Sequence, residues 1–244
     1  MAPGTDAEVP AFWRGLGLPG LVDVHVHFLP ERMLRRVWAH FDLAGPLIGR
    51  SWPITYRCSE AERVARLEML GVRHFSALAY AHQPQMAADL NDWTLDFAAR
   101  TPGCLPSATF YPEPGVARYV RHALDRGARI FKLHLQVGAF DPLDPLLDEV
   151  WALRYERVAL DTTMAFTDFV ELVDFIGPAA PFPPSLRGRL RELGLAGKVL
   201  LGSDFPNIPY PYAHQLQALA RLQLGDDWLR AVCWDNAQAL LPTQ

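Results

Sequence analysis

The chain has 244 residues, half of them hydrophobic, enough for one large domain with a substantial core. Its 23 basic and 27 acidic residues leave a net charge of −4 with no basic block or stripe, which argues against a nucleic-acid partner. No apolar run reaches the roughly 18 residues needed to cross a bilayer, and the opening MAPGTDAEVPAFWRGLG lacks the apolar stretch of a secretory signal, so a cytoplasmic protein with no membrane contact is expected.

In chain order, strand-like and helix-like segments alternate. LVDVHVHF (21–28) reads as a first strand, followed by a polar and aromatic loop containing GPLIGRSWPITYR. SEAERVARLEMLG is a helix: Ser59 stands three residues before Glu62, the capping-box spacing, Val64, Leu67 and Leu70 share a face, and Gly71 ends it. The strands HFSALAYAH, LPSATFYPEP, ARIFKLHLQ, RVALDTTMAF and KVLLGSDFP follow, with helices such as MAADLNDWTLDFAAR and VARYVRHALDRG between them. Repeated βα units of this kind predict a parallel sheet, closed as a barrel or open and doubly wound. No glycine-rich phosphate loop follows any strand, so a nucleotide-binding open sheet has no support. Cys58, Cys104 and Cys233 are scattered and unpaired in spacing, which fits buried thiols rather than disulfides or a zinc knuckle.

His25 and His27 stand at positions i and i+2 of the first strand, so both imidazoles leave the same face, about 7 Å apart at the backbone. That reach suits two ligands of one metal ion; an ordinary pair of hydrogen-bonded histidines is the alternative, and the pair by itself does not separate the two. Polar residues gather at the other strand ends as well: His82, Tyr111 and Glu113, His134 and Gln136, Asp161 and Thr162, Ser203 and Asp204. In a (β/α) barrel this edge carries the active site, which favours the metal. Asp204 ends an apolar run in VLLGSDFP, where a carboxylate is costly unless paired or bound to a cation. With His25 and His27 it makes a mixed nitrogen and oxygen set suited to zinc or a related divalent ion, with Asp204 also placed to take a proton from a bound water. A turn or helix-capping role before Pro206 is the alternative for Asp204.

The motifs DVHVHFLPE at the first strand, LLGSDFPNIPYPY at the last and VCWDNAQALL beyond it resemble the amidohydrolase superfamily. The resemblance is to the branch that includes aminocarboxymuconate-semialdehyde decarboxylase. It implies a TIM-type (β/α)8 barrel and one divalent metal, expected to be zinc, held by His25, His27 and Asp204. It also implies hydrolysis or non-oxidative decarboxylation of a small molecule. The family pattern further has a histidine ligand on a fifth strand and a catalytic histidine on a sixth. Here only 22 residues lie between Leu135 and Val158, whereas two βα units need on the order of 60. Six strands are therefore expected in a single domain spanning 1–244, with an apparent internal deletion near 151–157. Such an incomplete barrel would have exposed edges that invite homo-oligomers.

Four further residues are candidates for contact with a small-molecule substrate. His134 is the nearest substitute for the missing ligand, or a substrate contact. Lys132 shares its strand face and would bind an anion or pair with a carboxylate. His82 would touch substrate or sit on the rim, and Arg57 would clamp a carboxylate or lie in solvent. The rival to an active enzyme is a remnant or pseudoenzyme that lacks the third histidine ligand and the catalytic histidine. A phosphoesterase with an early His-x-His ranks below both, since it would need more strand-end His and Glu residues.

Overall fold

The computed structural model describes residues 1–43, 45, 51–154, 159–163 and 184–241. Its strands are short and all pair in parallel. Leu21–Asp23 (β1) pairs with Val72–Ser76 (β2), which pairs with Cys104–Leu105 (β3); Ser107–Thr109 (β4) pairs with Ile130–Lys132 (β5); Leu160–Asp161 (β6) pairs with Val199–Leu200 (β7). β3 and β4 are one run of chain interrupted at Pro106, which has no N–H to give to a ladder. The run therefore serves two neighbours, β2 before the proline and β5 after it, and Pro106 still accepts from Arg129 N.

β1 is joined to the far end of the chain by Val24 N–H to Leu201 O and by a parallel bridge between Val26 and Phe205. The order across the sheet is thus β5, β4/β3, β2, β1, β7, β6. Among the described residues no strand hydrogen bond joins β5 to β6. The predicted join at 151–157 and the ends of RVALDTTMAF lie partly outside the described residues.

Helices cover the sheet. Glu60–Leu70 (α3, after Val9–Gly15 as α1 and Glu31–Leu43 as α2) begins with the capping box read from the sequence, Ser59 Oγ accepting from Glu62 N and Glu62 accepting from Ser59 N. Gly71 closes it at φ 81°, and a Cβ there would lie 2.3 Å from the Trp13 indole nitrogen, so both the backbone and the packing demand glycine. Trp13 in turn donates to Leu70 O and belongs to the main core, with Phe28, Phe75, Phe205 and Trp228. Ala87–Arg100 (α4) and Val116–Asp125 (α5) fall where the sequence places them.

The strand predicted through ARIFKLHLQ stops earlier, because Leu135–Gly138 turns into a short helix (α6) whose N-terminus is capped by the His134 side chain. Near the end of the chain, Tyr212–Arg221 (α9) and Asp226–Cys233 (α10) follow Asp148–Arg154 (α7) and Pro184–Leu195 (α8). Asn236 in the VCWDNAQALL motif donates to both Gly194 O and Val199 O, tying this segment to α8 and β7. No helix among the described residues is long and apolar enough to cross a membrane.

Candidate metal centre

The register between β1 and the segment after β7 brings the three predicted ligands together. Asp204 N donates to His25 O and His27 N donates to Phe205 O, so the Asp204 peptide is held beside both histidines by main-chain bonds. Asp204 itself has φ 69°, a left-handed conformation that Asp tolerates better than most residues, and its carbonyl accepts from Asn207 N in the following turn. Below the histidines, fully buried Asp23 accepts from His25 N and Ser203 N through Oδ1 and from the Tyr212 hydroxyl through Oδ2, stapling β1 to the same segment.

The result is a tight triangle. His25 Nε2 is 3.2 Å from His27 Nε2 and 3.5 Å from Asp204 Oδ1, while His27 Nε2 is 2.9 Å from Asp204 Oδ1. Ligands at zinc distances around a tetrahedral ion stand about 3.3 Å apart, so these atoms match one face of such a shell. The histidines are 5% and 4% exposed, so water does little to relieve the site. His27 Nδ1 lies 2.8 Å from Leu78 O, which can only accept, so this nitrogen carries the hydrogen and a neutral His27 turns a bare Nε2 towards Asp204. Three acceptors this close need positive charge beside them, from a proton, a metal ion or the Lys132 ammonium at His25 Nε2. Burial depresses the His25 pKa despite the neighbouring Asp161, which disfavours a proton there. Burial would raise the Asp204 pKa, yet the hydrogen bond and charge of His27, with the charges of His25 and Lys132, hold the carboxylate below its ordinary range. The donor set, the spacing and the burial all fit a divalent ion.

A cavity of about 330 Å³ opens over the triangle. His134 and Lys132 both line it, as their alternation along the strand predicts. Lys132 Nζ is 3.4 Å from His25 Nε2, and burial lowers its pKa against the opposing pull of Asp161 and Asp204. His134 accepts from Val137 N at Nδ1, so its neutral form carries the proton on Nε2. Leu29, Val37 and Phe41 form an apolar wall. Trp52 stacks on Phe41 and donates to Asn207 O, backing this wall.

Two candidates are not in this cavity. Arg57 makes two hydrogen bonds to Asp42 at the surface and stacks over Trp38, which commits its guanidinium elsewhere. His82 is exposed and does not line the cavity. Conversely, the cavity includes Tyr80, Asp161, Thr163 and Asn207, none of which the sequence singles out as a site residue. Asp161 Oδ1 lies 3.1 Å from His25 Nδ1. Its place at a strand end was the available signal; its partner was not.

Comparison with known proteins agrees with this architecture. No curated protein matches the sequence. Among solved structures, an uncharacterised TIM-barrel protein from Bordetella bronchiseptica aligns with a TM-score of 0.62 at 13% identity, over 91% of this chain and 98% of that one. This likeness establishes an α/β fold of the TIM-barrel type. The family model described as amidohydrolase matches residues 22–153 and 151–243, which include all three residues of the triangle. The chain belongs to the amidohydrolase family.

Proposed function

We propose that this chain binds one zinc ion through His25, His27 and Asp204 and acts as a metal-dependent hydrolase or non-oxidative decarboxylase of a small organic acid. The carrying observation is the convergence of three acceptor atoms within 3.5 Å of one another in a buried, family-matched position. When bound, such an ion supplies Lewis acidity and brings the pKa of a water near neutrality. The chain's own residues do the rest. Asp204 directs Oδ1 at the histidines, and a carboxylate at this position can accept a proton from a nucleophile.

The Lys132 ammonium, the His134 Nε2–H and the Tyr80 hydroxyl make a wall of donors beside an apolar surface, which suits a carboxylate attached to a hydrocarbon body. Were His25 Nε2 to hold an ion, Lys132 would lose its present contact there and be available to that carboxylate. The motifs DVHVHFLPE and LLGSDFPNIPYPY support the branch of the family resembling aminocarboxymuconate-semialdehyde decarboxylase.

We further infer that two βα units of the family pattern are missing. Six strand runs among the described residues, counting β3 and β4 as one, a family match in two stretches that meet at residues 151–153, and the lack of described ladder bonds between β5 and β6 support this. The missing units would carry the third histidine ligand and the catalytic histidine, which favours a weakened enzyme over a fully competent one. Metal analysis of protein purified without chelator is the test. About one zinc per chain, lost in His25→Ala and Asp204→Ala, is expected; a metal-free parent that does not take up added zinc would identify a remnant. Resequencing the gene across the codons for Trp151 to Tyr155 tests the deletion, with about 60 further codons restoring full competence as the expectation.

A further inference from the structure

The ring of His25 has two nitrogens, and only Nε2 belongs to the triangle. Its Nδ1 faces Asp161 Oδ1 at 3.1 Å. A carboxylate accepts, so Nδ1 must hold a hydrogen for this contact to be favourable, and the lone pair is then confined to Nε2. The Asp161 carboxyl is the acceptor of this pair, since its Oδ1 takes a second hydrogen bond from the Thr163 N–H. It is a third exposed, against 6% for the His25 side chain.

The surroundings are built to deliver this carboxylate. Asp161 Oδ1 also accepts from Thr163 N at 2.9 Å, which fixes its rotamer. Thr162 N donates to Leu200 O, Thr162 Oγ1 exchanges hydrogen bonds with Gly202 N and O, and Gln215 donates to Thr162 O at 2.7 Å. The backbone just after Asp161 is thus clamped to the strand that leads to Asp204 and to α9, while Leu160 before it pairs with Val199. Gly202 keeps this space open: a Cβ there would stand 2.6 Å from Thr163 Oγ1 and 2.8 Å from both Asp161 Oδ1 and the His25 Cβ. Any larger residue would push the acid and the imidazole apart.

We propose that Asp161 is a positioning residue of the metal centre, locking His25 in the Nδ1–H tautomer so that Nε2 is presented to the ion, with Gly202 keeping the space in which the two side chains meet. This rests on the metal role of His25, His27 and Asp204, but it can be tested separately. Outer carboxylates on metal-binding histidines change affinity by roughly 10–100-fold.

The experiment uses the full chain, its Asp161→Ala and Asp161→Asn variants, and a His25→Gln variant to assign the signal. Long-range proton–nitrogen NMR of ¹⁵N-histidine-labelled, metal-free protein reads the His25 tautomer, and competition with a chromophoric chelator reads zinc affinity. The parent is expected to show Nδ1–H at His25. Asp161→Ala should shift population to Nε2–H and weaken zinc roughly 10–100-fold. Asp161→Asn, which keeps an accepting oxygen but no charge, should retain Nδ1–H and fall between the two in affinity. A folded Asp161→Ala with the parent's tautomer and affinity would overturn the proposal. If that variant does not fold, an Asp161→Asn protein with undiminished affinity would do the same. A parent that binds no zinc would refute the metal role itself, while the tautomer of the metal-free protein would still decide the part played by Asp161.

Discussion

Asp23 gives the sharpest quantitative test, because burial pushes its pKa up to about 7, against the lowering effect of hydrogen bonds from Ser203, Tyr212 and His25. The ordinary value is 3.8, so the folded protein keeps a proton that the unfolded chain has lost between about pH 4 and pH 7. The sign follows from linkage: wherever the native state binds more protons, stability falls as pH rises. A shift of this size is worth about 4 kcal/mol, absent below the unfolded pKa and fully felt above the folded one. Asp23→Asn mimics the protonated acid, with one oxygen for the His25 and Ser203 N–H groups and an amide that can donate to the Tyr212 oxygen. The metal-free variant should therefore gain on the parent by about 3 kcal/mol between pH 5 and pH 8. Urea unfolding of both proteins with chelator present, at half-unit steps of pH, measures the difference. A stability gap that stays constant over that range, or one that favours the parent at pH 8, would show that the hydrogen bonds outweigh burial and that Asp23 is ionised throughout.

Zinc added at about 100 times its dissociation constant should stabilise the parent by about 2.7 kcal/mol and leave His27→Ala unchanged, as followed by thermal unfolding. Lys132→Met should weaken inhibition by a small carboxylate about tenfold while leaving inhibition by the matching amide within twofold, read from competition assays or from isothermal titration. Gly71→Ala should cost about 2–4 kcal/mol in urea unfolding, combining the left-handed backbone with a clash against Trp13, whereas a cost below 0.5 kcal/mol would mean that the indole yields freely.

Local chemistry made parts of this structure legible in the sequence. Ser59, Glu62 and Gly71 mark a helix because a capping box and a left-handed terminus depend on neighbours in the chain. His25 and His27 share a face because the chain past β1, bridged to Phe205 at Val26, keeps the strand period of two although β1 itself ends at Asp23, and Asp204 stands out because an acid after four apolar residues needs a partner. What depended on distant packing was hidden. The pairing of Asp161 with His25 spans 136 residues and needs the missing side chain of Gly202. Arg57 looked available only because its partner Asp42, on a helix across a loop, could not be seen as bidentate from spacing alone. The ARIFKLHLQ strand was read too long because His134 caps a helix of four residues, a signal weaker than the hydrophobic alternation around it.

The stapling of β1 by Asp23 has a consequence for the order of assembly. Asp23 and Ser203 bond across 180 residues, and the same junction supplies all three atoms of the triangle. A nascent chain emerging from the ribosome can hold the two imidazoles but not the carboxylate, so tight chelation waits until the long-range pairing of β1 with the Leu201–Phe205 segment has formed. Zinc would thus act as a latch on the finished fold and would slow its unravelling far more than it would hasten its formation.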